Sequence, residues 1–362
     1  VKPKGIKMAE KDRFQKMRDA INKAAGKEIS YNLSEKNQTK VVKWISTGSR
    51  WLDSIICSRD QLPENGLGGL PVGRIIELAG LESSGKTYMA AQIAVRAQKM
   101  GFDLCWYDCE FQLSPDFLGK MGIDLNSFIF NVGWTLEDIF ENIEFLLGFD
   151  GVPKLFIIDS IAAAPTKRAI EGNFDPLSQV ADKARVISLA LQKLTTPLGS
   201  HGSTLLALNQ LKTFIAVNPG DRVKAMIHPY VTQGGKSFKY HSSLIVYLTK
   251  REGKDHFIYD EDKEKIGSHV RAKVEKSRFG TEGREAEFKI LWRGNEIKVC
   301  DEESWLEAIK KSPRVTPGTW WTIDVGPEKD PIKFQSSKWL EKLQEPEFKE
   351  VILGILNEVL IK

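Results

Sequence analysis

The chain has 362 residues, of which 41% are hydrophobic and 28% charged, a composition typical of a globular protein with at least one large core. No apolar run approaches the roughly 18 residues that a membrane-spanning helix requires, so we expect no membrane partner. Residues 1–40 carry eleven Lys and Arg against five Asp and Glu. Because the whole chain has a net charge of only +4, any nucleic-acid site elsewhere must be local.

The first forty residues predict one amphipathic helix followed by a polar linker. Phe14, Met17, Ile21 and Ala24 recur at helical spacing on an otherwise basic segment. A single helix with so narrow an apolar stripe has to pack on another surface. The residues alone leave open whether that surface belongs to the same chain or to a neighbouring subunit.

The most informative motif is Gly-Leu-Glu-Ser-Ser-Gly-Lys-Thr at 80–87, which follows an apolar run at 74–79 and precedes a helical stretch at 88–100. This strand, loop and helix predict a phosphate-binding P-loop, since glycines let backbone N–H groups turn toward an anion and the helix adds its positive end. Lys86 would then reach the β- and γ-phosphates, and the Thr87 hydroxyl would bind Mg²⁺.

Three later apolar segments, each typical of a buried strand, are followed by Glu110, Asp159 and Gln210. In a doubly wound sheet, ligands bind outside the carboxyl ends of the strands. A carboxylate at Glu110 could orient or deprotonate an attacking water, and Asp159 could hold the Mg²⁺ shell. The four cysteines match no usual zinc spacing, so we expect reduced thiols in a cytoplasmic protein.

The segments 45–53, 68–74 and 82–87 together resemble the RecA family of DNA strand-exchange recombinases, including its phage-encoded UvsX-like members. The resemblance runs from about Ile45 to Gly294 and continues more weakly beyond. It implies an α/β fold whose P-loop NTPase core of RecA type has a mostly parallel twisted sheet flanked by helices.

The resemblance also implies three parts of the chain. Residues 1–40 would be an N-terminal helix and linker for subunit docking, and residues 41–294 the ATPase core with two DNA-binding loops. Residues 295–362 would form a small C-terminal α/β domain. Residues 238–240 are expected to belong to a strand of the core sheet.

Roles in ATP hydrolysis follow from the same resemblance. Glu110 would activate water and Gln210 would sense the γ-phosphate, while Lys276 and Arg278 would reach the γ-phosphate of a neighbouring subunit. Ser114 stands where family members usually have a base-binding aspartate, which leaves strict adenine selectivity open. The implied contacts to ATP are Gly80, Glu82, Ser83, Ser84, Gly85, Lys86, Thr87, Tyr88, Phe117, Asp159 and Lys239, with Thr87 and, through water, Asp159 on Mg²⁺.

Two loops are expected to bind DNA, a turn-rich one at 165–178 and a long one at 211–233. The second interleaves cations with apolar side chains, which suits insertion between unstacked bases. Loops of this length are usually functional or disordered. The implied DNA contacts are Gly172, Arg185, Phe214, Thr232, Gln233, Gly234, Gly235 and Lys236.

We therefore expect a recombinase that forms helical filaments on single-stranded DNA, pairs it with homologous duplex and exchanges strands. It would act in the cytoplasm of a bacterium or a phage-infected host, with further copies of itself, a loading mediator and a single-strand-binding protein as partners. The alternatives are a ring-forming helicase of RecA fold, a recombination mediator without turnover, and a small-molecule kinase. Closed rings on DNA would favour the helicase, and a lack of ATP turnover would favour the mediator. ATP turnover that does not respond to DNA would favour the kinase.

Overall fold

The computed structural model describes residues 4–26, 28–34, 40–61, 68–172, 176–214, 221–227, 229–251, 256–293, 296–327 and 329–360. The chain divides into two compact units, Val1–Lys40 and Val41–Lys362. Within the described residues, no helix combines the length and apolar character that crossing a membrane requires.

The first unit is built on α1, Lys4–Ala25. After the helix the chain folds back, because the Asn22 side chain accepts from the Ile29 and Ser30 N–H groups and donates to the Ser30 carbonyl. Phe14, whose exposed fraction is 56%, and Met17 and Ile21 on the same stripe are all exposed. The predicted amphipathic helix is therefore present, with its apolar stripe open to solvent.

The second unit alternates helices and strands through its first two thirds, which is the order typical of α/β folds. Its helices are α2 (Arg50–Ile56), α3 (Lys86–Lys99), α4 (Pro115–Met121), α5 (Leu136–Leu147), α6 (Lys167–Glu171), α7 (Pro176–His201), α8 (Asp221–Ile227), α9 (Ser237–His241), α10 (Glu302–Ile309), α11 (Trp339–Lys342) and α12 (Pro346–Leu360).

Its strands are β1 (Trp44–Ile45), β2 (Leu70–Pro71), β3 (Ile75–Gly80), β4 (Asp103–Asp108), β5 (Phe128–Val132), β6 (Lys154–Asp159), β7 (Thr204–Thr213), β8 (Tyr230–Thr232), β9 (Leu244–Lys250), β10 (Phe257–Tyr259), β11 (Lys265–Ser277), β12 (Glu285–Arg293), β13 (Glu296–Cys300), β14 (Val315–Thr316), β15 (Trp321–Ile323) and β16 (Ile332–Phe334).

The central sheet has the strand order β5-β4-β6-β7-β3-β9-β11-β12-β13. Neighbouring strands are parallel from β5 to β9 and antiparallel from β9 to β13. Every residue of β3 and β6 is buried, which explains their near-continuous apolar sequences. The predicted α/β core with a mostly parallel sheet is confirmed.

Separate apolar cores cover the two faces of this sheet. One contains Leu52 of α2, Met89 of α3 and Leu118 of α4, and the other contains Ile139 of α5 and Leu191 of α7. The result is a three-layer arrangement of helices, sheet and helices. It places the carboxyl ends of the parallel strands at one edge, where the loops that follow them meet.

The C-terminal segment has its own small core. Strands β14 to β16 form an antiparallel sheet, and the buried aromatic side chains of Trp305, Trp321, Phe334, Trp339 and Phe348 pack between it and helices α10 to α12. The predicted boundary at Gly294 lies outside the described residues, so the division into three parts stays a prediction.

Two local predictions were wrong. Residues 238–240 belong to α9, where Phe238 is buried while Lys239 and Tyr240 are exposed. So short a segment cannot reveal whether its apolar period is 2 or 3.6. The second loop is also more regular than expected, because β7 continues to Thr213 and pairs with β8.

Short helices occupy parts of both predicted DNA loops. Helix α6 lies in the first and α8 in the second. Residues 173–175 of the first loop and residues 215–220 and 228 of the second lie outside the described residues.

Candidate nucleotide site and DNA-facing loops

The P-loop joins β3 to α3 and depends on two glycines. Gly85 has φ +87°, and a Cβ atom added there would lie 2.4 Å from Ile290 Cδ1. A Cβ atom at Gly80 would lie 2.3 Å from Ser84 Oγ. Only glycine satisfies the left-handed conformation at the first position and the close approach at the second.

The loop presents donors suited to an anion. Lys86 Nζ donates to the Gly80 and Leu81 carbonyls at 3.2 and 3.0 Å. Burial lowers the pKa of Lys86, while the Asp159 and Glu110 carboxylates act to raise it. Ser84 Oγ is buried and has no hydrogen-bond partner among the described residues. Together with the N-terminus of α3, these groups fit a nucleotide phosphate.

Tyr88 follows on α3, whereas Glu82 and Ser83 are exposed at the tip of the loop. Ser83 has φ +54°, a conformation uncommon for a residue with a side chain. The predicted phosphate-binding residues therefore lie together in the loop between β3 and α3 and in the first turn of α3.

Thr87 and Asp159 meet at the edge of the sheet. Thr87 Oγ1 donates to Asp159 Oδ2 at 3.0 Å. Burial raises the pKa of Asp159 to about 7, and the carboxylates of Glu110 and Asp108 add to the shift. No cluster of three or more metal-ligating side chains occurs among the described residues. Mg²⁺ commonly takes one or two protein ligands together with waters and phosphates, so this pair fits the ion.

Glu110 lies between two hydrogen-bond donors. Ser160 Oγ donates to Glu110 Oε1 at 2.5 Å, and Gln210 Nε2 donates to the same oxygen at 3.4 Å. Asp108 shapes the turn that carries Glu110 by accepting from its N–H group. Sequence reasoning missed Ser160, although its place directly after Asp159 was the available signal.

An aromatic group flanks the P-loop. The rings of Phe117 and Tyr88 meet edge to face with centroids 5.2 Å apart, and the Tyr88 and Trp292 centroids are 6.3 Å apart. Trp292 was missed, because its strand is distant in sequence from the other two. Ser114 Oγ accepts from the Phe117 N–H and so caps α4.

Lys276 and Arg278 lie away from the P-loop of their own chain. Lys276 Nζ donates to the Ser242 carbonyl at 2.8 Å, and Arg278 donates to the Tyr240 carbonyl at 3.2 Å. Lys276 pairs in register with Ile245 of β9, which pairs with Glu77 of β3.

Glu77 lies three residues before Gly80 on β3, so Lys276 is displaced from the start of the P-loop by about 10 Å along the strand direction. Lys239, also predicted to contact ATP, is exposed on α9, and its carbonyl accepts from Lys276. The structure therefore does not bring these three cations into the P-loop site of one chain.

The end of the second loop packs on α7. A Cβ atom added to Gly234 would lie 2.9 Å from Ile187, and one added to Gly235 would lie 3.4 Å from Ala184. Arg185 is exposed on the same helix.

Helix α7 thus carries one predicted DNA residue and supports two others. Four of the rest lie near the β7–β8 hairpin, and Gly172 follows α6. Phe214 donates its N–H to the Pro229 carbonyl, Thr232 pairs with Leu211, Gln233 follows β8, and Lys236 is exposed beside α9.

A P-loop at the end of a central parallel strand, with Asp159, Glu110 and Gln210 on neighbouring strands or turns, defines a P-loop nucleoside triphosphatase core. The chain belongs to the RecA family, because the family model of the RecA N-terminal domain matches residues 13–297.

Curated relatives support the same conclusion. Protein RecA of Frankia alni is 33% identical over 307 residues, covering 84% of this chain and 80% of the relative. Protein RecA of Bifidobacterium longum is 32% identical over 84% of this chain and 70% of its own length. Protein RecA of Corynebacterium pseudotuberculosis is 31% identical over 360 residues, covering 95% and 89% of the two chains.

Proposed function

We propose that this chain is a DNA-dependent ATPase and recombinase that polymerises on single-stranded DNA, pairs it with homologous duplex and exchanges strands. One observation carries the proposal. Gln210, whose side chain reaches Glu110 at the ATP site, lies on β7 immediately before the segment 211–233 that is predicted to bind DNA. A change at the γ-phosphate would therefore act on the strand that leads into the predicted DNA-binding segment.

The residues of this chain divide the work of ATP hydrolysis. The P-loop N–H groups and Lys86 hold the phosphates, and Glu110 orients the attacking water. Thr87 and, through water, Asp159 would hold Mg²⁺, which would supply charge neutralisation when ATP is bound. Ser160 and Gln210 keep the Glu110 carboxylate directed toward the site.

The second half of the site comes from a neighbouring copy. Lys276 and Arg278 would neutralise the charge that develops on the transferred phosphoryl group. Arg278 can bind two phosphate oxygens at once, which a lysine cannot. Their distance from the P-loop of their own chain supports this assignment, and Lys239 would lie at the same subunit boundary.

The aromatic group of Phe117, Tyr88 and Trp292 would form the base-binding surface. An aromatic face stacks on any base, so its fit does not depend on adenine. Ser114 uses its hydroxyl as a helix cap and gives no added selectivity. Base binding would then depend on stacking more than on hydrogen bonds to the base, with little discrimination between ATP and GTP.

The proposal also covers how subunits contact one another in the filament and the compartment in which the protein acts. The exposed stripe of Phe14, Met17 and Ile21 on α1 would dock on a neighbouring subunit. The cysteines are free, and burial raises the pKa of the Cys57, Cys105 and Cys300 thiols to about 12, so these thiols are unreactive. Free thiols are consistent with the reducing cytoplasm, bacterial or phage-infected, in which we place the protein.

A UvsX-like, phage-encoded origin rests on the motifs at 45–53 and 68–74 and on the long second loop. A loading mediator and a single-strand-binding protein would be further partners, as the resemblance implies.

Strand exchange between a circular single strand and homologous linear duplex tests the function. We expect joint molecules and nicked circles that require ATP and homology. Their absence, with ATP turnover intact, would contradict a recombinase. Electron microscopy adds a second criterion, since closed rings on DNA would indicate a helicase and extended helical filaments support the proposal.

A further inference from the structure

Glu77 is a carboxylate in the middle of the central sheet. It lies on β3, whose six residues are all buried, and its own exposed fraction is 1%. Burying a charged group in an apolar sheet is costly unless hydrogen bonds compensate. The nucleotide chemistry described above does not use this side chain.

Asn209 is the hydrogen-bond partner of Glu77 and makes three contacts. Its Nδ2 donates to Glu77 Oε1 at 2.7 Å and to the Gln233 carbonyl at 2.8 Å. Its Oδ1 accepts from the Gln210 N–H at 2.8 Å. One buried amide therefore links the residues at both ends of the second DNA loop to the strand that leads into the P-loop.

The orientation of the Asn209 amide decides whether this link exists. The Gln233 carbonyl can only accept and the Gln210 N–H can only donate. The Asn209 NH₂ group therefore faces Gln233 and Glu77, and its oxygen faces Gln210. An amide turned by half a rotation would place oxygen against the Glu77 carboxylate and the Gln233 carbonyl. The Gln210 N–H would then lose its acceptor.

We infer that Glu77 is a positioning residue that, through Asn209, fixes the two ends of the second DNA loop and thereby transmits nucleotide occupancy to DNA affinity. The inference rests on the proposed function. It adds a residue that touches neither ATP nor DNA.

Glu77→Leu is the decisive variant. The change removes the buried carboxylate and leaves one Asn209 N–H without an acceptor, a smaller loss than the stability of a domain of this size, so we expect the fold to persist. Glu77→Gln keeps an oxygen that accepts from Asn209 and should restore function. Asn209→Asp removes both donated hydrogen bonds and should give the larger loss. Asp53→Asn, which changes a buried carboxylate bonded to Ser46 and Thr47, controls for loss of buried charge.

The first readout is the single-stranded DNA concentration that gives half-maximal ATPase stimulation. We expect Glu77→Leu to raise it by about five- to thirtyfold, with DNA-independent turnover and KM for ATP within about twofold of the unaltered chain. Glu77→Gln and Asp53→Asn should stay near the unaltered value. A Glu77→Leu protein with an unchanged DNA midpoint would overturn the inference.

The second readout does not depend on activity. Hydrogen exchange followed by mass spectrometry should show faster exchange of the Gln210 amide in Glu77→Leu, with the Ala207 amide on the same strand unchanged. If the unaltered chain shows no DNA-stimulated turnover, the proposed function fails, and this exchange arm alone decides the inference. If Glu77→Leu does not fold, Asn209→Asp replaces it. Its carboxylate still accepts from the Gln210 N–H, so the DNA midpoint is the readout, and an unchanged midpoint in that variant would overturn the inference.

Discussion

The two groups of cations assigned to ATP hydrolysis lie in different settings. Lys86 is held inside the P-loop by hydrogen bonds to the Gly80 and Leu81 carbonyls. The nearby Asp159 and Glu110 carboxylates act to raise its pKa. Lys276 and Arg278 bond carbonyls at the end of α9. Lys86 therefore belongs to the P-loop site of its own chain, whereas Lys276 and Arg278 lie outside that site.

This difference indicates where control resides. Under the proposed assignment, a single subunit would hold the phosphates and position water but would lack Lys276 and Arg278 to neutralise charge in the transition state. If the missing cations come from a neighbour, hydrolysis depends on polymerisation. The following predictions test each half of that comparison, in order of expected effect.

Glu110→Gln should reduce DNA-stimulated ATP hydrolysis by about 10² to 10⁴-fold, because an amide cannot accept a proton from water. Nucleotide binding, measured by fluorescence titration, should change little. Glu144→Gln, an exposed carboxylate on α5 paired with Lys193, is the matched control. Equal turnover in Glu110→Gln and the unaltered chain would remove Glu110 from the catalytic role.

Arg278→Ala should lower kcat by about 10²-fold or more, with Arg278→Lys recovering only part of it, because lysine cannot bind two phosphate oxygens. The free energy of unfolding should be unchanged. Arg271→Ala, on β11 shortly before Arg278 and in an exposed ion pair with Glu285, should leave kcat unaltered. A fall in stability equal to the fall in turnover would point to a structural role instead.

The unfolding free energy should fall as pH rises toward 7 because of Glu77. Burial raises the pKa of Glu77 to about 7, with the Asn209 hydrogen bond acting against the shift. The folded state therefore binds this proton more tightly than the unfolded chain, and the stabilisation is lost between about pH 4.5 and 7.

Between about pH 4.5 and 7, the unfolding free energy of Glu77→Gln should rise by about 3 kcal/mol relative to that of the unaltered chain. Urea unfolding at several pH values measures this difference. Parallel pH profiles for the two proteins would contradict the assignment. Glu144→Gln, which changes an exposed carboxylate, should give no such divergence.

Trp292→Ala should raise KM for ATP about three- to tenfold with kcat preserved, since one aromatic contact contributes about 0.5–1.5 kcal/mol. Trp292→Phe should retain most of the affinity. KM values that rise equally for ATP and GTP would fit recognition by stacking, whereas a loss confined to ATP would indicate hydrogen bonding to adenine.

The strand ends that carry the candidate nucleotide site could be predicted from the sequence because each belongs to an apolar run. Gly80, Asp159 and Gln210 all lie at the end of, or within, an apolar run that can be read locally. Trp292 and the Glu77–Asn209 contact depend on strands far apart in sequence that meet only in the sheet. Residues 238–240 were misassigned because five residues are too few to show a helical period.

Mixing two inactive proteins tests the divided site most directly. Lys86→Ala subunits keep Lys276 and Arg278, and Lys276→Ala/Arg278→Ala subunits keep the P-loop. Equal mixtures should regain about a quarter of native DNA-stimulated turnover, because about one interface in four pairs an intact P-loop with intact cations from its neighbour. No recovery at any mixing ratio, with both proteins bound to the same DNA, would contradict a site shared between subunits.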